Sequence, residues 1–303
     1  MREYLSLLDQ EESYWHKRCH EEWLLKGDNN TKYFRKIANG HKRKNTIISL
    51  DKDGSIIEGD KNLLNHATEY CSDLFGPGEN HNIHIDPNVW VEVEKVTDFD
   101  NSLLCSPFSE NEIKYALFSM ERNKAAGPDK IPIEFYQTCW EIVKGDIILL
   151  FSDFYEGKVD ISRLNYSIIT LLPKVSDASK IQQFRPICLL NCLYKLMTKV
   201  LTIRLENIAD KLIHSNQTAF MKGRNIMGGV MVLHEILHET KRKKQIGIIL
   251  KLDFKKTYDK VKWNFLFGCL RARGFSDKWC SWIEKVVSGG TVRPCLLPKN
   301  FVK

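Results

Sequence analysis

The sequence predicts an α+β fold that is mostly helical, with few and short strands. Three observations carry this. Residues 2–25 are rich in Glu and Leu, carry two Trp and read as helix, and from SPFSENEIKYALFSM onward the chain is dense in apolar helical pattern. The stretch TIISLDKDGSIIEG places two β-rich runs around Lys52-Asp53-Gly54, which reads as a hairpin. In GIILKLDFKKTYDKVKWNFL, a β-branched and apolar run from Ile246 to Leu252 stops at Asp253 and reads as one strand.

The elements follow in order. After the first helix, KGDNNTKYF breaks the pattern with Asn and Gly. A second, basic helix follows in TKYFRKIANGHKRKN, then the hairpin, then a helix over 61–75. Residues 76–101 carry Gly, Pro, Asn and Asp and read as a linker, with a domain boundary near residue 100. The chain divides into a basic helical segment with a hairpin, 1–100, and a second domain, 101–303. Ser109 is the expected N-cap of the first helix of that domain, with Glu112 three residues on.

Composition bounds the function. Lys+Arg 45 against Asp+Glu 38 gives a net charge of +7, which suits a polyanionic partner without demanding one. Nine cysteines include no C-x-x-C pair, which disfavours a zinc ribbon or finger. Their odd count and a charged N-terminus without an apolar signal region read as free thiols in a reducing compartment, so the expected location is intracellular, nuclear or cytoplasmic, and not secreted. No stretch approaches the ~18–20 apolar residues of a membrane span.

Three stretches carry candidate chemistry. His234-Glu235-x-x-His238 fits a zinc-hydrolase helix, with two His one turn apart and a general-base Glu. No third ligand follows at the usual spacing, and the run Lys241–Lys244 would repel a cation, so an amphipathic helix that carries two His is favoured. The stretch KYFRKIANGHKRKN offers Lys32, Arg35, Lys36, Lys42, Arg43 and Lys44 for phosphates, and Tyr33 and Phe34 for stacking on unpaired bases. The competing reading is a solvated face over two core aromatics. The third is Asp253, at the C-terminal end of its strand, where open α/β sheets place their sites and where a carboxylate suits Mg²⁺. An Asp that caps the next helix, with Asp259 in its first turn, fits the local spacing equally well.

Four blocks appear in order: NKAAGPDKIPIEFY at 123–136, ITLLPKVSDASKIQQFRPICLLNCLYKLMTKVLTIRL at 169–205, QTAFMKGRNIMGGVMVLHE at 217–235 and LKLDFKKTYDKVKWNFL at 250–266. Together they resemble the reverse transcriptase of plant LINE-type (non-LTR) retrotransposons. The upstream EESYWHKRCHEEWLLKGDNNTKYFRKIANG resembles the segment between endonuclease and polymerase in those proteins. The resemblance implies a right-hand polymerase fold, here the fingers and the first part of the palm. It implies an RNA template, a DNA primer, deoxynucleoside triphosphates and Mg²⁺. Asp253 matches the first metal-binding carboxylate of the palm, with the carbonyl of Phe254 beside it on the metal. Tyr258 matches the aromatic gate under the incoming sugar. Lys174 and Arg185 match the finger residues that grip the triphosphate; a point-charge Lys and a forked Arg suit that ligand. Gly127, Pro128 and Asp129 match one template-facing turn, and Gly223 and Arg224 a second.

The chain departs from the family pattern at Thr257, Lys255, Cys188 and Gly228-Gly229, where the glycine pair is expected to weaken the helix after Arg224. The family supplies further carboxylates from an aromatic-x-Asp-Asp hairpin, and these 303 residues contain no Asp-Asp pair. The expectation is a truncated reverse transcriptase fragment without polymerase activity of its own. The alternatives are a non-catalytic RNA- or single-stranded-DNA-binding module and, remotely, the zinc hydrolase.

Overall fold

A computed structural model describes residues 2–19, 31–75, 95–252 and 261–295. Helix α1 (Arg2–Cys19) packs on the basic helix α2 (Thr31–Asn45). The interface takes up one of the two aromatics considered for base stacking. Phe34 is fully buried, edge-on to His16 at 5.1 Å between ring centres, so it belongs to the core.

The hairpin forms as expected, between β1 (Ser49–Lys52) and β2 (Ser55–Glu58). Its two-residue turn needs left-handed backbone at both positions, and Asp53 and Gly54 adopt φ of 53° and 88°. Helix α3 (Asp60–Phe75) follows. Leu50 of β1 and Leu63 and Ala67 of α3 bury against Leu171, Ile181 and Phe184, so this smaller core joins residues from both sides of position 100.

The main core begins at Val96. Helix α4 (Asp98–Leu104) is started by a reciprocal cap between Thr97 and Asp100. Helix α5 (Glu110–Phe118) is capped as the sequence predicts, the Ser109 hydroxyl accepting from the Glu112 amide. Helices α6 (Ile133–Thr138), α7 (Trp140–Tyr155) and α8 (Ile161–Leu164) lead to the strand β3 (Tyr166–Pro173). A 3-10 turn, Ile181–Gln183, connects to β4 (Phe184–Leu190), and helix α9 (Cys192–Leu212) starts directly after it. Then come α10 (Ile226–Arg242), α11 (Trp263–Ala272), α12 (Asp277–Ser288) and β5 (Thr291–Cys295). The second sheet has the order β4-β3-β5, with β4 antiparallel and β5 parallel to β3.

Aromatics weld the helices around α12. Phe108 lies 5.2 Å from both Phe151 and Trp282, ring centre to ring centre. Arg204 of α9 is buried among them. Its guanidinium holds both oxygens of Glu112 at 2.6 and 2.8 Å and the carbonyls of Leu104, Ser106 and Pro107 at 2.8, 2.7 and 3.1 Å. Its charged carbon sits 4.0 Å over the Phe108 ring. The burial is tolerable because so many donors are matched.

One expectation is corrected. The run Ile246–Leu252 forms no strand; Ile246, Ile248, Ile249, Leu250 and Leu252 are all exposed. A strand needs a partner for its backbone groups, and among the described residues none pairs with this run. Helix α10 spans Gly228 and Gly229 without a break. Among the described residues, no helix is long and apolar enough to cross a membrane.

Candidate nucleic-acid and nucleotide site

The antiparallel pair β3–β4 sets the position of Lys174 and Arg185. Arg185 stands opposite Leu172, and Phe184 opposite Pro173. The ladder continues one step further, the Lys174 amide donating to the Gln183 carbonyl at 2.8 Å. Alternation along a strand then puts Leu172, Lys174 and Arg185 on one face and Leu171 and Phe184 on the other. The second face is the buried one, with Leu171 2% and Phe184 4% exposed, so both cations emerge on the side facing away from that core. The Lys174 ammonium donates to the Gln182 carbonyl at 2.9 Å. An ammonium carries three donors, so this bond leaves capacity for a phosphate oxygen.

Gly127, Pro128 and Asp129 form a tight turn closed by the Lys130 amide donating to the Gly127 carbonyl at 3.0 Å. Asp129 then accepts from the Ile131 amide at 3.0 Å. The turn rests on Asn191, the residue between β4 and α9. A Cβ at position 127 would lie 2.5 Å from Asn191 Oδ1 and 2.6 Å from its Cα and N, so only glycine fits this approach. The Asp129 amide donates to Asn191 Oδ1 at 3.2 Å, and Asn191 Nδ2 donates to the Leu164 carbonyl at 3.2 Å. Lys195, one turn into α9, reaches the Ala125 carbonyl at 3.4 Å. Beside this joint, burial, with the nearby Asp129 and Cys192, pushes the Tyr136 hydroxyl up to about 12. Burial likewise raises the Cys192 thiol.

The second turn behaves differently. Gly223 takes φ +76°. The Arg224 guanidinium is engaged by the protein: by the carbonyls of His214, Gln217 and Ile213 at 2.7, 2.9 and 2.9 Å, and by Asp210 at 2.8 Å. It fastens the loop after α9 to that helix.

On α2, Lys32, Arg35, Lys36, Lys42, Arg43 and Lys44 are all exposed. At 3.6 residues per turn the first five fall within about a third of the helix circumference, and Lys44 lies off that arc. The last three also complement the negative end of the helix dipole. A cleft of about 380 Å³ separates this end of α2 from the loop after β3, lined by Arg43, Lys44, Ile48, Val175, Asp177 and Phe184.

Asp253, Phe254 and Tyr258 lie outside the described residues. His234, Glu235 and His238 are exposed on α10, and among the described residues no group of three or more His, Cys, Asp or Glu is placed to hold a metal ion. The sequence reading missed Asn191 and Arg204. An Asn before a long helical pattern reads as an N-cap, but here its side chain makes no cap bond and reaches across the fold instead. Arg204 had no local signal; its partners lie about 100 residues upstream.

Comparison with known proteins bears on this arrangement. Residues 172–299 match the family described as reverse transcriptase (RNA-dependent DNA polymerase). The chain is also 27% identical over 264 residues to the transposon TX1 uncharacterized 149 kDa protein of Xenopus laevis, a match covering 86% of this chain and 20% of that relative. The chain thus spans about a fifth of the length of the relative it matches.

Proposed function

We propose that this chain is the reverse transcriptase segment of a non-LTR, LINE-type retrotransposon protein, comprising the fingers and first part of the palm in residues 101–303 behind a basic segment in 1–100. The observation that carries the reading is that the family match over 172–299 includes Lys174 and Arg185, the two cations that share one exposed sheet face. In this reading the Arg185 fork and the Lys174 ammonium bind the triphosphate of an incoming deoxynucleotide. Tyr258 packs under its sugar and excludes a 2′-hydroxyl. The turns at Gly127-Pro128-Asp129 and Gly223-Arg224 face the RNA template paired to a DNA primer. Asp253, with the Phe254 carbonyl, would hold a divalent cation, Mg²⁺, which when bound supplies charge neutralisation at the phosphate. The reading has this chain bind template and nucleotide.

The test is photo-crosslinking of an azido-deoxynucleoside triphosphate to the 303-residue chain, with Lys174→Ala and Arg185→Ala alongside. Labelling at or beside β3–β4 that falls at least fivefold in both variants is expected. No labelling, or labelling indifferent to both changes, overturns the reading. A second reading, a non-catalytic RNA- or single-stranded-DNA-binding module, is favoured by the exposed basic arc of α2. It predicts salt-sensitive nucleic-acid binding with no triphosphate labelling.

A further inference from the structure

We infer that Asn191 is the positioning residue that fixes the Gly127-Pro128-Asp129 turn against the strand pair bearing Lys174 and Arg185. The inference rests on the proposed reading of that turn as template-facing. Three pieces of chain meet at this one residue. Its carbonyl oxygen holds the Asp129 amide at 3.2 Å, and its amide nitrogen holds the Leu164 carbonyl at 3.2 Å, two residues before β3 begins. Its backbone lies directly after β4. The open end of the β3–β4 hairpin is therefore clipped through Asn191, and the turn is seated on the clip. The close approach of Gly127 to Asn191 Cα, N and Oδ1 leaves no slack for the turn to shift inward.

The side chain's geometry points away from an ordinary helix cap. Asn191 occupies the N-cap position of the 21-residue helix α9, where an Asn oxygen usually accepts from the first-turn amides, yet it makes no such bond. Both ends of its amide are directed instead to the turn and to the base of the hairpin. Serine at this position would cap α9 well but is too short to span both partners. Asn191→Ser therefore separates a helix-stabilising role from a positioning role.

The experiment uses the 303-residue chain and an RNA oligonucleotide carrying 4-thiouridine, with crosslinked residues mapped by mass spectrometry. Hydrogen exchange of the Asp129 amide is followed in parallel. In the unaltered chain, crosslinks are expected at 127–130 and at 32–44. In both Asn191→Ala and Asn191→Ser, the yield at 127–130 is expected to fall at least fivefold, the Asp129 amide to exchange at least tenfold faster, and the yield at 32–44 to stay within twofold. Equal crosslinking at 127–130 in all three proteins overturns the positioning role and leaves the template-facing reading standing. A parallel fall at both sites in Asn191→Ser shows a general structural role and also overturns it. No crosslink at 127–130 in the unaltered chain overturns the template-facing reading, and the inference with it.

Discussion

Replacing Arg204 by alanine removes a side chain that ties α9 to Leu104, Ser106, Pro107 and Glu112. The guanidinium is 6% exposed and satisfies two carboxylate oxygens and three main-chain carbonyls. Alanine leaves the Glu112 carboxylate, 21% exposed, without its counter-charge in a largely dry setting. Breaking a buried pair from one side typically costs about 3–5 kcal/mol. Each stranded carbonyl adds a desolvation penalty of order 1–3 kcal/mol unless water enters the space left behind. The lost packing on Phe108 adds to it. Water that fills the gap can satisfy the stranded carbonyls, so at least about 3 kcal/mol is expected. Lysine should not restore it, since a single ammonium cannot reproduce the planar fork that holds a carboxylate and three carbonyls together. Urea titration followed by the fluorescence of Trp140, Trp279 and Trp282, all buried in the same core, measures the loss as a lower midpoint with unchanged slope. A double variant, Arg204→Met with Glu112→Leu, should be less destabilised than Arg204→Ala, because no charge is left unpaired. A loss below about 1 kcal/mol for Arg204→Ala would refute the reasoning.

Three further outcomes are expected. Gly127→Ala should destabilise the chain by about 1–3 kcal/mol, the usual range for overpacking, and adding Asn191→Gly should not rescue it, because the Asn191 Cα and N would still lie 2.6 Å from the new Cβ; chemical denaturation of the single and double variants decides this. The Asp100 carboxyl is held down to about 2, first by its bond to Lys211 and then by the Thr97 amide and hydroxyl. That folded value lies below the ordinary 3.8, so its stabilisation is full above about pH 4 and lost as pH falls toward 2. The melting-temperature gap between the native chain and Asp100→Asn should accordingly close over that window. Changing Lys32, Arg35, Lys36, Lys42, Arg43 and Lys44 to alanine should flatten the log–log salt dependence of binding to single-stranded RNA by about 0.7 per phosphate contact removed. Affinity that ignores salt in the unaltered chain would show the basic arc to be only a solvated face.

Features whose causes lie within a few residues were legible in the sequence. The β1–β2 turn follows from Asp53-Gly54, which tolerates left-handed backbone, and the start of α5 follows from Ser109 reaching an amide three residues away. The basic arc of α2 follows from helical spacing alone. The blocks at 169–205, 217–235 and 250–266 likewise lie in or overlap the residues that match the reverse transcriptase family. What depended on distant partners was not legible. Ile246–Leu252 has strand composition, but ladder hydrogen bonds come from another segment, and no described segment pairs with it. Phe34 looked available for stacking until α1 covered it, and Arg224 looked available for a template until four acceptors surrounded its guanidinium. Asn191 carries the clearest case. Its identity and its place before α9 suggest a cap, and only the folded chain brings Leu164 and Asp129, 27 and 62 residues away, close enough to claim both ends of its amide. Local conformational rules act along the chain, whereas the energy that assigns a buried polar group its partners is settled by which surfaces the core brings together.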